Sequence, residues 1–204
     1  MPQALGNVTL GPDGQVLSGW WRRFFGYFID MIVIAIATVV VVIVVGTATG
    51  AFGSLFDEDQ FNEFFQRIQE DPGWTPTLGD MGSLFGPGFV TLVLTELAVS
   101  FALSAFNGVL LVAWTGQTVG DRAVKNRKVT AGRQLPGMGA AFVRWVIPAI
   151  LGLVQMIQVI GLLAFLVWVL DYLWPLGDRM NQTLHDKAAH TYVERSDLAP
   201  PVAR

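Results

Sequence analysis

The amino-acid sequence predicts an all-α integral membrane protein, and two observations lead to this class. Hydrophobic residues make up 52% of the 204 residues and charged residues only 14%, whereas soluble domains carry about 25% charged residues. Three long apolar runs, at 24–49, 88–113 and 145–170, contain one charge, one charge and none. A bilayer-spanning helix needs about 20 apolar residues, so each run is long enough to cross a membrane.

The first run is predicted to be an uncleaved transmembrane helix. It follows Arg22 and Arg23, as the apolar part of a secretory signal would. The apolar part of a signal peptide has about 7–15 residues, and this run is much longer. We therefore expect a cytoplasmic segment at 1–23 followed by transmembrane helix 1 at 24–49.

The distribution of charge predicts the orientation. The loop 50–87 has seven acids and one base, and the loop 114–144 has six bases and one acid. Cytoplasmic loops of membrane proteins are enriched in Lys and Arg, so the N-terminus and the loop 114–144 should be cytoplasmic and the acidic loop external. The inner leaflet is anionic, and we expect the basic loop to contact its headgroups. The net charge of −3 argues against a nucleic-acid partner.

The third hydrophobic segment, 145–176, has two interpretations. It crosses once, which puts the tail 177–204 outside, or it bends into a hairpin, which returns the tail to the cytoplasm. Its roughly 32 residues are too few for two full spans. Strand-like residues at 129–130 and 191–193 should pair as a small sheet only if both lie on one side of the membrane.

Within the acidic loop, residues 59–69 are predicted to form an amphipathic helix. Phe61, Phe64, Phe65 and Ile68 have the spacing of one helix face. Such a helix either lies at the outer interface or packs on the bundle, and the alternative is an external lid. We detect no internal repeat in the sequence.

Two acids inside the apolar runs are the candidate functional residues. Asp30 lies roughly 10 Å along the helix from Arg23, and a carboxylate near the centre of a helix costs about 2.5–3.5 kcal/mol on insertion scales. Asn107 on helix 2 has a similar depth, so we predict an Asp30–Asn107 hydrogen bond. Glu96 enters from the opposite side. Asp30, Asn107 and Glu96 are therefore either a proton or cation site or polar groups that stabilise the bundle.

Other chemistry finds no support in the sequence. The turn 116–120 lacks the lysine and spacing of a phosphate-binding loop. His185, Asp186 and His190 have poor spacing for a metal, with no strong third ligand nearby. There is no cysteine and no serine–histidine–acid arrangement. We expect no metal, no cofactor and no enzymatic activity.

Three motifs in order resemble the RDD family of bacterial membrane proteins, which is named for one arginine and two aspartates. Arg23 opens the first transmembrane helix and Asp30 follows seven residues later. The turn 116–120 looks like the family's glycine-rich turn, and 182–193 looks like its C-terminal signature, which makes Asp186 the second aspartate.

The resemblance covers residues 18–195, with departures at two positions. Lys125 stands where a small residue is common, and His190 stands where glycine is usual. The resemblance implies a multi-pass protein of the bacterial inner membrane with a role in transport. It also favours the hairpin, since that topology brings Arg23 to Asp186 at the cytoplasmic surface, where they and His185 would form a clasp.

Two functions follow as hypotheses. The first is proton-linked transport of a cation or small solute, with Asp30 as the ion or proton site and Glu96 as an outer relay. The second is a non-transporting accessory or scaffold subunit of another membrane complex. In either case the partners expected are lipid and a second copy or another membrane protein.

Overall fold

The computed structural model describes residues 8–200 and 202, apart from the side chains of residues 158 and 159. In this part of the chain the α-helices are α1 (Trp20–Thr49), α2 (Glu58–Glu70), α3 (Leu78–Ser83), α4 (Pro87–Ala105), α5 (Val112–Thr115), α6 (Val119–Ala123), α7 (Gly137–Val154), α8 (Gln158–Leu173) and α9 (Leu184–Ala188). The strands are β1 (Asn126–Thr130) and β2 (Thr191–Arg195).

Three helical segments within these residues are long and apolar enough to cross a membrane. They are Trp20–Thr49 with 30 residues, Pro87–Thr115 with 29 and Gly137–Val154 with 18, and 18-residue stretches within them have mean hydropathies of 3.1, 2.0 and 1.7. A fourth apolar helix, Ile160–Leu176, is shorter. The predicted class, an α-helical integral membrane protein, is thereby confirmed.

The chain divides into two compact units, one of residues 34–103 and one formed by the chain on either side of it. In the unit 34–103, the predicted amphipathic helix is present as α2 and extends one residue beyond the prediction at each end. Asp57 caps it by accepting a hydrogen bond from the Gln60 amide at 3.0 Å. Phe61, Phe65 and Ile68 are exposed on one face of the helix.

In the other unit, the third hydrophobic segment forms a hairpin of two helices. The turn 155–157 joins α7 to α8, which contact each other. Gly161 allows a close approach at the turn, since a Cβ there would lie 2.4 Å from the Gln155 carbonyl oxygen.

The predicted start of this segment at residue 145 is wrong, because α7 begins at Gly137. The charge of Arg144 suggested a loop, but its guanidinium is neutralised inside the protein and the helix continues through it. The earlier start supplies the length that two antiparallel helices need.

The predicted small sheet is also present. β1 and β2 pair antiparallel with Lys128 opposite Val193. Leu17, just before α1, bridges to Glu194 on the free edge of β2. The residues after α5 and the tail after α8 therefore lie at the same end of this unit, together with the start of α1.

Between α4 and α5 the helix widens into a π-helix over Phe106–Leu111. Gly108 in this stretch packs against Trp145 of α7, and a Cβ on Gly108 would lie 2.8 Å from Trp145 Cδ1. The Trp145 indole also donates a hydrogen bond to Ser104 Oγ at 2.9 Å. Nothing in the sequence indicated this widening, which turns Asn107 into the interior.

Candidate functional site

Asp30 and Asn107 are hydrogen-bonded, as the sequence predicted. Asn107 Nδ2 donates to Asp30 Oδ1 at 2.9 Å, and the Gly120 amide donates to the same oxygen at 2.7 Å. Asn107 Oδ1 in turn accepts from the Val119 amide at 3.0 Å. One membrane-helix carboxylate and one buried amide thus fix the beginning of α6.

Glycine at position 120 is required for this arrangement. A Cβ there would lie 1.9 Å from the Gly26 carbonyl oxygen of α1, so the backbones of α1 and α6 are in direct contact. The close approach lets the Asp30 side chain reach the Gly120 amide.

The second carboxylate oxygen of Asp30, Oδ2, has a different environment from Oδ1. Asp30 is half-buried, and within the described residues its Oδ2 accepts no hydrogen bond and forms no ion pair. The carboxylate is therefore oriented through one oxygen while the other is open.

Glu96 belongs to the unit 34–103, where its side chain is exposed. The hydrogen bonds of Asp30 and Asn107 are made to residues of their own unit. The structure therefore joins two of the three residues of the predicted ion site, Asp30 and Asn107.

The predicted clasp has Asp186 at its centre. Arg23 Nη2 donates to Asp186 Oδ2 at 2.7 Å, and Asp186 is completely buried. Arg144 binds the other oxygen, Oδ1, and also donates to Thr191 Oγ1 at 2.5 Å. Sequence reasoning missed Arg144 because it was counted among the loop bases.

His185 is adjacent to the clasp, but its closest partner is Asp171 of α8. His185 Nδ1 lies 2.5 Å from Asp171 Oδ2, and the His185 amide donates to Asp171 Oδ1 at 3.0 Å. Its other ring nitrogen, Nε2, is 3.9 Å from Asp186 Oδ1. Sequence reasoning did not single out Asp171, and its place at the end of an apolar run is the signal that could have identified it.

The charges around Asp186 decide its ionisation. Burial raises its pKa, but the neighbouring positive charges of Arg144 and Arg23 lower it more, so the pKa of Asp186 is well below its usual range. Asp121 follows the same pattern: burial raises its pKa, and the ion pair with Lys128 gives a net lowering. Both carboxylates are charged at neutral pH.

Asp121 and Asp186 occupy equivalent places in two copies of one motif, which we call the first motif (116–130) and the second motif (181–195). Each begins with a residue of positive φ, continues through a five-residue helix with a Thr–Asp capping box, and ends in a strand. The identical positions are Gln117 and Gln182, Thr118 and Thr183, Asp121 and Asp186, and Ala123 and Ala188.

The hydrogen bonds of the two motifs also correspond. Gln117 Nε2 donates to the Asn126 carbonyl at 2.6 Å, and Gln182 Nε2 donates to the Thr191 carbonyl at 2.8 Å. Equivalent residues Lys128 and Val193 face each other in the sheet, so the two motifs are related by a local two-fold axis. The expectation of no internal repeat was wrong, because few side chains are shared and the backbone pattern carries the similarity.

A membrane-helix carboxylate binds the same amide in both motifs. Asp30 of α1 accepts from Gly120, and Asp171 of α8 accepts from the equivalent residue, His185. Asp171 differs from Asp30 in being buried and in having a partner for each of its oxygens.

The basic loop is largely paired within the protein. Arg127 and Arg133 form ion pairs with the buried Glu194, Lys128 pairs with Asp121, and Arg144 pairs with Asp186. These four bases therefore have carboxylate partners inside the protein, and the expected headgroup contact of the basic loop stays a prediction. Arg122 and Lys125 are the loop bases that remain exposed without a carboxylate partner in the described chain.

The fold and this polar cluster define a multi-pass α-helical membrane protein whose membrane helices hold a duplicated surface motif. A model of the RDD family matches residues 17–190, and the chain belongs to the RDD family. No curated protein matches the chain. No solved structure matches it either.

Proposed function

We propose that the protein carries out proton-linked transport of a cation or small solute across the bacterial inner membrane, with Asp30 as the proton acceptor. The observation that supports this proposal is the asymmetry of the Asp30 carboxylate. Asn107 and Gly120 hold Oδ1, and Oδ2 is open. Ionisable groups within membrane helices mark proton and ion pathways in many transporters.

The geometry suits repeated proton transfer. A proton that binds at Oδ2 leaves both hydrogen bonds to Oδ1 in place, so the side chain keeps its position in both protonation states. In this proposal Glu96 acts as the outer relay. Arg23, Asp186 and Arg144 clamp the inner ends of α1 and α7 and close the cytoplasmic side.

Proteoliposomes that contain a pH-sensitive dye test this function. Asp30→Asn keeps an acceptor oxygen for Gly120 but removes the exchangeable proton, and we expect it to abolish cation-driven proton movement. Asp197→Asn is the matched control, because Asp197 is exposed, and its flux should equal that of the parent. Equal flux from folded Asp30→Asn and parent protein would exclude Asp30 as the acceptor.

The second candidate function is an accessory or scaffold subunit, and the corresponding carboxylate of the second motif favours it. Asp171 accepts from the His185 amide, which is equivalent to the Gly120 amide that Asp30 binds, and both of its oxygens are occupied. This supports a helix-capping role for the carboxylate at this position. In this case Asp30 also acts as a structural cap.

Co-purification separates the two functions. A scaffold should yield no flux from folded protein and should retain the same membrane partner, a second copy or another protein, in Asp30→Asn.

Vesicles that contain anionic lipid should bind the protein through Arg122 and Lys125, and replacing both residues with Gln should weaken that binding under either function.

A further inference from the structure

We propose that His185 and Asp171 form a second proton-binding site, in which Nε2 of His185 takes up and releases the proton. The site lies on α8 and α9, whereas the Asp30 site lies on α1, so the proposal does not depend on the transport function. It rests on the hydrogen bonds of the imidazole and on its position in the second motif.

The hydrogen bonds assign the tautomer of His185. Asp171 Oδ2 lies 2.5 Å from Nδ1, and an ionised carboxylate only accepts hydrogen bonds. Asp171 also accepts from the His185 amide, which fixes the imidazole relative to the carboxylate. Nδ1 therefore carries the proton of the neutral ring, and the lone pair is on Nε2.

Nε2 is the open atom of the pair. Within the described residues it makes no hydrogen bond, and Asp186 Oδ1 lies 3.9 Å from it. His185 is 7% exposed, and its Nε2, which has no hydrogen-bond partner in this part of the chain, is not fully buried. A proton that arrives at Nε2 gives an imidazolium between two carboxylates, and its departure restores the neutral ring.

The charged groups that surround the imidazole come from four helices. Asp171 belongs to α8 and Asp186 to α9, while Arg144 of α7 and Arg23 of α1 both bind Asp186. β2 contributes the uncharged Thr191. Tyr172 of α8 is the other titratable group, with its ring 5.9 Å from the imidazole.

These charges balance when His185 is neutral, since two carboxylates face two guanidinium groups. Proton uptake therefore adds one positive charge close to the oxygen that Arg144 binds. The imidazolium and the Arg144 guanidinium then compete for Asp186 Oδ1, so that the proton on Nε2 is linked to the ion pair that joins α7 to α9.

Histidine ¹⁵N spectroscopy tests the proposal directly, because the chain has 2 histidines. His190→Gln removes the exposed one and leaves His185 as the single labelled residue of the full-length protein. At about pH 8 we expect a protonated Nδ1 and a bare Nε2, and at about pH 5 we expect both to be protonated, with full reversal on return.

Asp171→Asn in the His190→Gln background provides the comparison. An amide can accept or donate, so this variant should lose the single tautomer and show averaged Nδ1 and Nε2 signals near pH 8. If Asp171→Asn fails to fold, the single-histidine protein alone still decides the question. An Nε2 signal that is the same at both pH values, or a bare Nδ1 at about pH 8, would overturn the proposal.

Failure here is distinguishable from failure of the transport function. The spectroscopy reads one imidazole in the purified protein and needs no flux. If the protein shows no flux but Nε2 still gains and loses a proton, the result supports the second proton-binding site and excludes the transport function.

Discussion

Asp186 is the residue that joins α1, α7 and α9. Its two oxygens bind arginines from α1 and α7, and its side chain also caps α9 through the Thr183 amide at 3.0 Å. Removing one partner from a buried ion pair leaves an uncompensated charge, which costs more than the pair itself contributes.

Asp186→Asn should therefore destabilise the protein strongly. Two buried guanidinium groups lose their counter-charge, and we expect a loss of about 3–5 kcal/mol. Asp197→Asn removes a pair at the surface and should cost less than about 1 kcal/mol. Thermal unfolding of both variants in the same detergent measures the difference, and equal midpoints would contradict the central role of Asp186.

The lowered pKa of Asp186 also predicts a pH dependence. A carboxylate whose pKa is lower in the folded state stabilises the protein above its unfolded pKa of about 3.9, and this stabilisation is lost as the pH falls toward the folded value. The parent should lose stability as the pH falls below about 4. The difference in unfolding midpoint between the parent and Asp186→Asn should narrow over the same range, and a constant difference would argue against the ion pairs.

Among the elements, the short helix α6 depends on its contact with α1. Gly120 has no space for a methyl group, because the obstacle is the Gly26 backbone and not a flexible side chain.

Gly120→Ala should separate α6 from α1, break the Asp30–Gly120 hydrogen bond and cost about 2 kcal/mol or more. Gly139→Ala on α7 is the control, since a Cβ there meets nothing within 4 Å, and it should leave stability unchanged or slightly raise it. Unfolding of both variants in detergent checks the result, and a fully stable Gly120→Ala would disprove the close contact.

The two motifs share a strained backbone position before their strands. Lys125 has φ 58° and His190 has φ 52°, a left-handed conformation that disfavours side chains. These are the two positions at which the sequence departs from the family pattern, and the glycine usual at the position of His190 fits this conformation.

Lys125→Gly should accordingly stabilise the protein by about 0.5–1 kcal/mol, because the relief of strain exceeds the added chain entropy. Ala123→Gly, two residues earlier in α6, should instead destabilise it by about 1 kcal/mol. The two glycine variants should shift the unfolding midpoint in opposite directions, and shifts of the same sign would contradict the backbone assignment.

Much of this architecture was predictable at the level of elements. Apolar length identified the membrane segments, the spacing of Phe61 and Ile68 identified α2, and β-branched residues identified the two strands. The Asp30–Asn107 and Arg23–Asp186 contacts were also anticipated, the first from matching depths and the second from the family resemblance.

What escaped prediction depends on pairing between distant residues. The charge of Arg144 on its own predicts a loop. Arg144 is instead buried within α7, because Asp186, which is distant in the sequence, neutralises its charge. The π-helix around Asn107 accompanies the close contact of Gly108 with Trp145. The duplicated motif lies in φ angles and helix caps more than in shared side chains. Such information is absent from hydropathy and local propensity.

For the whole molecule, the hairpin and the sheet predict that Asp13, before α1, and Asp197, after β2, are both on the cytoplasmic side. The chain has no cysteine, so single cysteines can report the topology. Cysteines at the exposed positions Asp13 and Asp197 should resist an impermeant maleimide in intact cells and react after permeabilisation. A cysteine at Asp59 of α2 should react in intact cells, and external labelling at Asp197 would refute the hairpin topology.

The position of the second motif also has a consequence for biosynthesis. Asp186 and β2 follow α1, α4, α7 and α8 in the sequence, so Arg23 and Arg144 acquire their counter-ion only after these helices have been synthesised. A nascent chain that stops before Asp186 retains two guanidinium groups that lack this counter-ion.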